Sequence, residues 1–157
     1  MKRSERMQMV KKVADDFERR RAEALGVCER RVTESEKKLS DLESYREGYV
    51  RDFDTRAKAG IGAAAAINFQ AFLLKLEDAM RQQEQVIEAA RKQRDAEEQK
   101  WRTAAQRAEA IGKTIVRWQG EEQHALDRRE QRDSDERAAR IWAQGVNSRG
   151  EIGRAHV

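Results

Sequence analysis

Proline is missing from this 157-residue chain, and cysteine occurs once. Without proline, no stretch is interrupted by a residue that lacks its backbone donor, so nothing forbids very long helices. The lone Cys28 excludes an internal disulfide and suits a reducing compartment. Histidine is nearly as scarce, with His124 and His156 only, and neither stands in a ligand or general-base spacing. Aromatic residues make up 6% of the chain, too few to fill a large globular core. No apolar run is long enough to span a bilayer, and the basic N-terminus is not followed by an apolar signal core. The expected location is therefore cytoplasmic.

What is present is charge. Charged residues are 39% of the chain, hydrophobic residues 38%, and the mean hydropathy is −1.00. The 33 basic and 29 acidic residues are interleaved, leaving a net charge of +4. Such a composition belongs to long helices and coiled coils, or to disordered chains. Periodicity decides for helix. Met7, Val10, Ala14, Phe17, Arg21, Leu25, Cys28, Val32, Ser35, Leu39, Leu42, Arg46, Tyr49 and Phe53 mostly alternate steps of three and four. The two consecutive steps of four between Phe17 and Leu25 read as a stutter. A second series keeps the rhythm without a slip: Phe69, Leu73, Leu76, Met80, Gln83, Ile87, Ala90, Arg94, Glu97, Trp101, Ala104, Ala108, Ile111, Ile115, Trp118, Glu122 and Ala125. Reversed, the two series fall into one register over most of their length, pairing Phe53 with Phe69, Leu42 with Met80 and Val32 with Ala90. The predicted fold is all-α: a two-stranded antiparallel coiled-coil hairpin of two long helices. Around Arg21, Arg94 and Glu97 the seam turns polar, and Trp101 opposite Arg21 suggests a cation–π contact.

The reversal is predicted at Gly60-Ile61-Gly62, with Gly60 as the C-terminal cap and Gly62 permitting the turn. Asn68 reads as the N-cap of the second helix, with Ile67 and Phe72 as its hydrophobic staple. The expected organisation is one hairpin over residues 1–147, with a first arm about 1–59, a turn about 60–67 and a second arm about 68–147. From about Trp118 to Ala143 the second arm is expected to lack a partner within the chain. Residues 148–157 resemble translated sequencing-adaptor read-through, so they are set aside as a non-native or disordered tail.

No catalytic set emerges, and neither cofactor nor metal is expected. Gly60-Ile61-Gly62 lacks the third glycine, the lysine and the flanking strand of a phosphate loop. Carboxylates are plentiful but sit on solvated helix faces, as does His124 among Glu121, Glu122 and Asp127. Cys28, on the seam, reads as a small buried hydrophobe. The basic N-terminal residues alternate with acidic ones and have no stacking aromatics, so a solvated face is expected there and not a nucleic-acid site. Surfaces remain. Lys38, Leu42, Tyr45 and Tyr49 on the first arm mirror Phe72, Leu76, Ala79 and Gln83 on the second, and both sets keep the spacing i, i+4, i+7, i+11. Leu42, Tyr49 and Leu76 also belong to the seam, whereas Tyr45, Phe72 and Ala79 fall beside it. The stripe reads either as a thickening of the core near the turn or, because a two-stranded coil cannot bury Tyr45, Phe72 and Ala79 fully, as a partner-binding surface.

At these residues the sequence resembles the flagellar export protein FliJ family. The resemblance runs from about Val32 to Gln119. It is carried by Leu39-x2-Leu42-x2-Tyr45-x3-Tyr49, the glycine break, Ile67-Asn68-Phe69-Gln70-x-Phe72-x3-Leu76-Glu77-x-Ala79, Lys100-Trp101-Arg102 and the Trp118-Gln119 region. It implies a non-enzymatic, stalk-like coiled coil of the flagellar type III export apparatus. Such a protein would be cytoplasmic and peripheral at the inner membrane. The implied partners are the export ATPase hexamer, reached through the end that carries both termini, the cytoplasmic region of the membrane export gate, and export chaperones, with no nucleic acid. The gate-contacting positions of the family match Leu42, Tyr45, Tyr49, Phe72, Leu76 and Ala79. Lys38 stands where the family pattern has glutamine, and Gln83 where it has histidine. A generic homodimeric coiled-coil scaffold, a stalk protein of a related injectisome, and a basic helical module on DNA or anionic membrane are the alternatives the residues leave open.

Overall fold

A computed structural model describes residues 1–155, with side chains described through Arg149. Two helices account for the described chain, α1 over Arg3–Ala59 and α2 over Ala63–Ala155, and no strand occurs among the described residues. They pair as the antiparallel hairpin that the two seams predict. Two compact units divide it: Val13–Ala108, and Met1–Lys12 together with the part of α2 from Glu109 on.

The turn is shorter than the sequence suggests. Gly60 alone carries the left-handed backbone, with φ of 95°, and its N–H donates to the Ala57 carbonyl at 3.1 Å. Gly62 has no positive φ; its carbonyl accepts from the Ala66 N–H at 3.2 Å. α2 therefore starts at Ala63, not at Asn68. Four alanines in a row have the highest intrinsic helix propensity, and glycine serves as an N-cap at little cost, so the helix starts as soon as the reversal is complete. Asn68 is then an exposed residue inside the helix, and Ile67, also exposed, is no staple.

Within Val13–Ala108 the seam is narrow. Cys28, Val32, Leu76, Ile87, Ala104 and Ala108 are buried, and no large side chain among the described residues is completely shielded. Each buried Leu, Ile or Val contributes roughly 1.5–3 kcal/mol. Phe17 departs from the predicted seam: it is 46% exposed. The stutter accounts for this, since two successive steps of four rotate the helix face away from the partner. The polar layer is also arranged differently from the expectation. The Arg21 guanidinium lies over the Phe17 ring, 5.2 Å from its centroid, and approaches Glu97 at 3.8 Å. Trp101 makes no cation–π contact with Arg21; its Nε1–H donates to the Glu18 carboxylate at 3.3 Å.

In the second unit the start of α1 lies against α2. The Arg3 guanidinium sits over the Trp118 ring at 4.5 Å and pairs with Glu121. Ser4, 3% exposed, donates from its hydroxyl to Glu122 Oε2 at 2.7 Å and from its backbone N–H to Oε1 at 3.3 Å. The Glu122 carboxylate thus caps the free donors of the first turn of α1 from the other helix. Trp118 is accordingly not the start of an unpartnered segment; the uninterrupted exposed run begins at Leu126 and continues to Arg149. Val10 is half exposed, contrary to its predicted place on the seam. Gly112 lets Lys11 lie close: a Cβ there would stand 3.1 Å from the Lys11 Cε.

Candidate functional site

Five rings cluster next to the turn. Phe53 and Phe69 face each other across the helices with centroids 3.7 Å apart. Tyr49 stacks on Phe69 at 4.9 Å and tilts against Phe72 at 4.7 Å. Tyr45 lies edge-on to Phe72 at 6.2 Å and parallel to Tyr49 at 6.4 Å. Contacts of this kind add ~0.5–1.5 kcal/mol per pair beyond burial. The cluster is anchored on one side and open on the other. Leu76, 7% exposed, forms its floor, with Leu42, Tyr49 and Ala79 half-buried above it. Tyr45 is 56% exposed and Phe72 36%, so two large aromatic side chains face solvent beside the seam. The structure thus brings all six residues of the predicted stripe to one region, but Leu76 supports the surface from beneath.

The heptad positions explain why the strip is one-sided. With Leu42, Tyr49, Leu76 and Gln83 at d, the residues preceding each a position form a g column, and those following each d position form an e column. In an antiparallel pair, g faces g and e faces e. The e flank carries charge and an interhelical bridge, Glu36 to Arg91 at 3.3 Å, with Arg46 reaching Glu77 at 3.1 Å beside it. The g flank instead holds Arg31, Lys38, Tyr45 and, next to the turn, Asp52 on α1, and Phe72, Ala79 and Val86 on α2.

A groove of about 500 Å³ runs along this flank, lined by Lys38, Asp41, Leu42, Tyr45, Ala79, Gln82, Gln83 and Val86. Asp41, Gln82 and Val86 are absent from the stripe read in the sequence. The sequence marks Val86 by the seven-residue repeat Phe72, Ala79, Val86, which lies outside the mirrored i, i+4 pairs. Gln83 is tied down, its amide donating to the Ser35 carbonyl at 2.9 Å. A smaller hollow of about 280 Å³ lies at the turn among Tyr49, Phe53, Phe69, Asp52, Arg56 and Asn68, with Ile61 and Ala65 closing it.

Among the described residues, no group of three or more His, Cys, Asp or Glu stands close enough to hold a metal ion. His124 is exposed, and Cys28 is buried on the seam without a bridge. No helix is long and apolar enough, over the described residues, to cross a membrane.

These features define a class: a two-helix antiparallel coiled coil with a half-open aromatic strip beside the turn. Residues 2–147 match the family described as flagellar FliJ protein, and the chain belongs to that family. It is thereby a component of the flagellar export apparatus. No curated protein and no solved structure matches it.

Proposed function

We propose that the chain works as a non-enzymatic, stalk-like coupling element between the export ATPase ring and the membrane export gate, and that it assists the recycling of export chaperones. The observation that carries the reading is the exposure of Tyr45 and Phe72 over a packed aromatic base. Rigid aromatics half out of a core lose little side-chain entropy on binding and supply most of the energy of an interface. Leu42, Tyr45, Tyr49, Phe72 and Ala79 form the gate-binding surface, with Leu76 holding it in place. The part of α2 past Leu126, an exposed helix bearing Ile141 and Trp142, serves the ATPase ring. On this reading the protein is cytoplasmic and peripheral at the inner membrane.

The test replaces Tyr45, Tyr49 and Phe72 by Ala together. Helicity is measured by circular dichroism, gate binding with the purified cytoplasmic region of the gate, and export by swimming. The expected result is a helical protein with gate binding and motility lost. Wild-type binding and swimming in a folded triple variant would refute the assignment of this surface.

A further inference from the structure

The g flank is too apolar for a two-stranded coil and too basic at its rim to pair with itself. A two-stranded seam needs apolar residues at a and d only, whereas apolar residues at a, d and g give the wider face of a helix packed in a bundle. From Tyr45 and Phe72 to Val86 the g columns of both helices contribute to such a face, and Val86 is left 51% exposed. Ala79, the smallest member, sits in the middle, so the groove is open enough to take a large side chain. This is the geometry that accepts an amphipathic helix.

The charges choose among helices. On the e flank, α1 presents Glu29, Glu36 and Glu43, and α2 presents Glu77, Glu84 and Glu98 against Arg91. On the g flank the rim of the groove carries Lys38, and Lys75 stands one turn from both Phe72 and Ala79; neither has an ion-pair partner among the described residues. Further along α2 the same g column continues as Lys100 and Arg107, which border a second hollow of about 350 Å³ beside the exposed Phe17. Asp41 is the acidic exception at the rim.

We propose that this flank is the seat of an acidic amphipathic helix of the partner, which completes a local three-helix bundle. The inference deepens the gate-binding reading and rests on it for the partner's identity; it adds the shape and charge of the element that binds. From Phe72 to Val86 the face spans about 21 Å at 1.5 Å per residue, so the incoming helix needs about four turns. Its apolar residues recur at i, i+3 or i+4, and i+7, with one large side chain over Ala79. Its acidic residues flank that row and meet Lys38 and Lys75. A second copy of this chain suits the site poorly, because its own g flank would bring the same lysines to the rim.

The experiment measures the affinity of the full chain for the purified cytoplasmic region of the export gate. Three variants are compared with the wild type: Lys38→Glu with Lys75→Glu, Ala79→Phe, and Glu43→Lys on the e flank. Peptides of about 20 residues that tile the acidic stretches of the gate region are mixed with the chain and followed by difference circular dichroism. The charge reversal is expected to weaken binding about tenfold, since two attractions become repulsions. Ala79→Phe should block the groove with helicity intact, Glu43→Lys should leave affinity within about twofold, and one peptide should gain helicity on mixing. If the gate region binds and the Tyr45, Tyr49, Phe72 triple variant abolishes it, while the reversal and Ala79→Phe have no effect and no peptide gains helicity, the helix seat is wrong and the gate surface stands. Failure of the wild type to bind the gate region overturns both. A dimer in light scattering that Ala79→Phe dissociates would make a second copy the occupant and also overturn the inference.

Discussion

Gly60 is the one described residue whose backbone, at φ of 95°, lies in the left-handed region. A Cβ at Gly60 or at Gly62 would meet no atom within 4 Å, so space does not distinguish the two positions. Conformation does. An L-residue in the left-handed region costs about 1–2 kcal/mol, whereas Gly62 keeps a backbone that alanine adopts freely. Gly60→Ala is therefore expected to lower stability by about 1 kcal/mol in urea unfolding, and Gly62→Ala to change it by no more than a few tenths, since alanine's smaller unfolded-state entropy is offset by its poorer N-cap at the start of α2. Equal effects at the two glycines would mean that the reversal is not carried by Gly60 alone.

At the scale of the helix, what decides stability is how the seam treats its polar layer. Glu97 occupies a d position and is nearly buried; its Oε2 has no hydrogen-bond partner, the nearest charge being Arg21 at 3.8 Å. Its Oε1 lies 3.4 Å from the Lys100 ammonium, itself half exposed. A buried carboxylate oxygen without a donor loses more in desolvation than an ion pair at this distance returns. Arg21 does not need Glu97 to remain charged, because it stacks on Phe17 and is about one-third exposed. Glu97→Leu is therefore expected to stabilise the hairpin by about 1–2 kcal/mol, read as a higher midpoint in urea unfolding. A lower midpoint would show that the Arg21–Glu97 attraction outweighs the desolvation.

Steps of three and four found both helices and their register, because a coiled coil repeats one local rule over its whole length. They failed where a neighbour overrides that rule. Phe17 is tipped outward by the stutter, and Ala63–Ala66 out-competes the Asn68 cap by propensity. Arg3 and Ser4 are held by Trp118, Glu121 and Glu122, partners more than a hundred residues away that no local pattern names. At the candidate site, Tyr45 and Phe72 were legible as aromatics out of register with the seam. The opposition of a basic g flank to an acidic e flank becomes visible only once antiparallel pairing sets g against g.

For the molecule as a whole, the described residues of α2 beyond Leu126 raise a separate question, because all of them to Arg149 are exposed. Their helix is supported by contacts along its own length: Gln123 to Asp127, Gln131 to Asp135, and Arg140 to Glu136. Such i, i+4 pairs contribute about 0.2–0.5 kcal/mol each, enough to bias a segment toward helix but not to couple it to a seam. Ile141 and Trp142, 69% and 73% exposed, bury little against the other described residues and leave most of their apolar surface open to a partner. Ending the chain after Leu126 is therefore expected to leave the thermal midpoint of the remaining helices unchanged, as followed by circular dichroism. The same truncation is expected to abolish co-purification with the export ATPase if that end carries the coupling proposed above, while gate binding persists. A substantial fall in the midpoint would mean that the segment stabilises the hairpin, and undiminished capture of the ATPase would place that contact elsewhere on the chain.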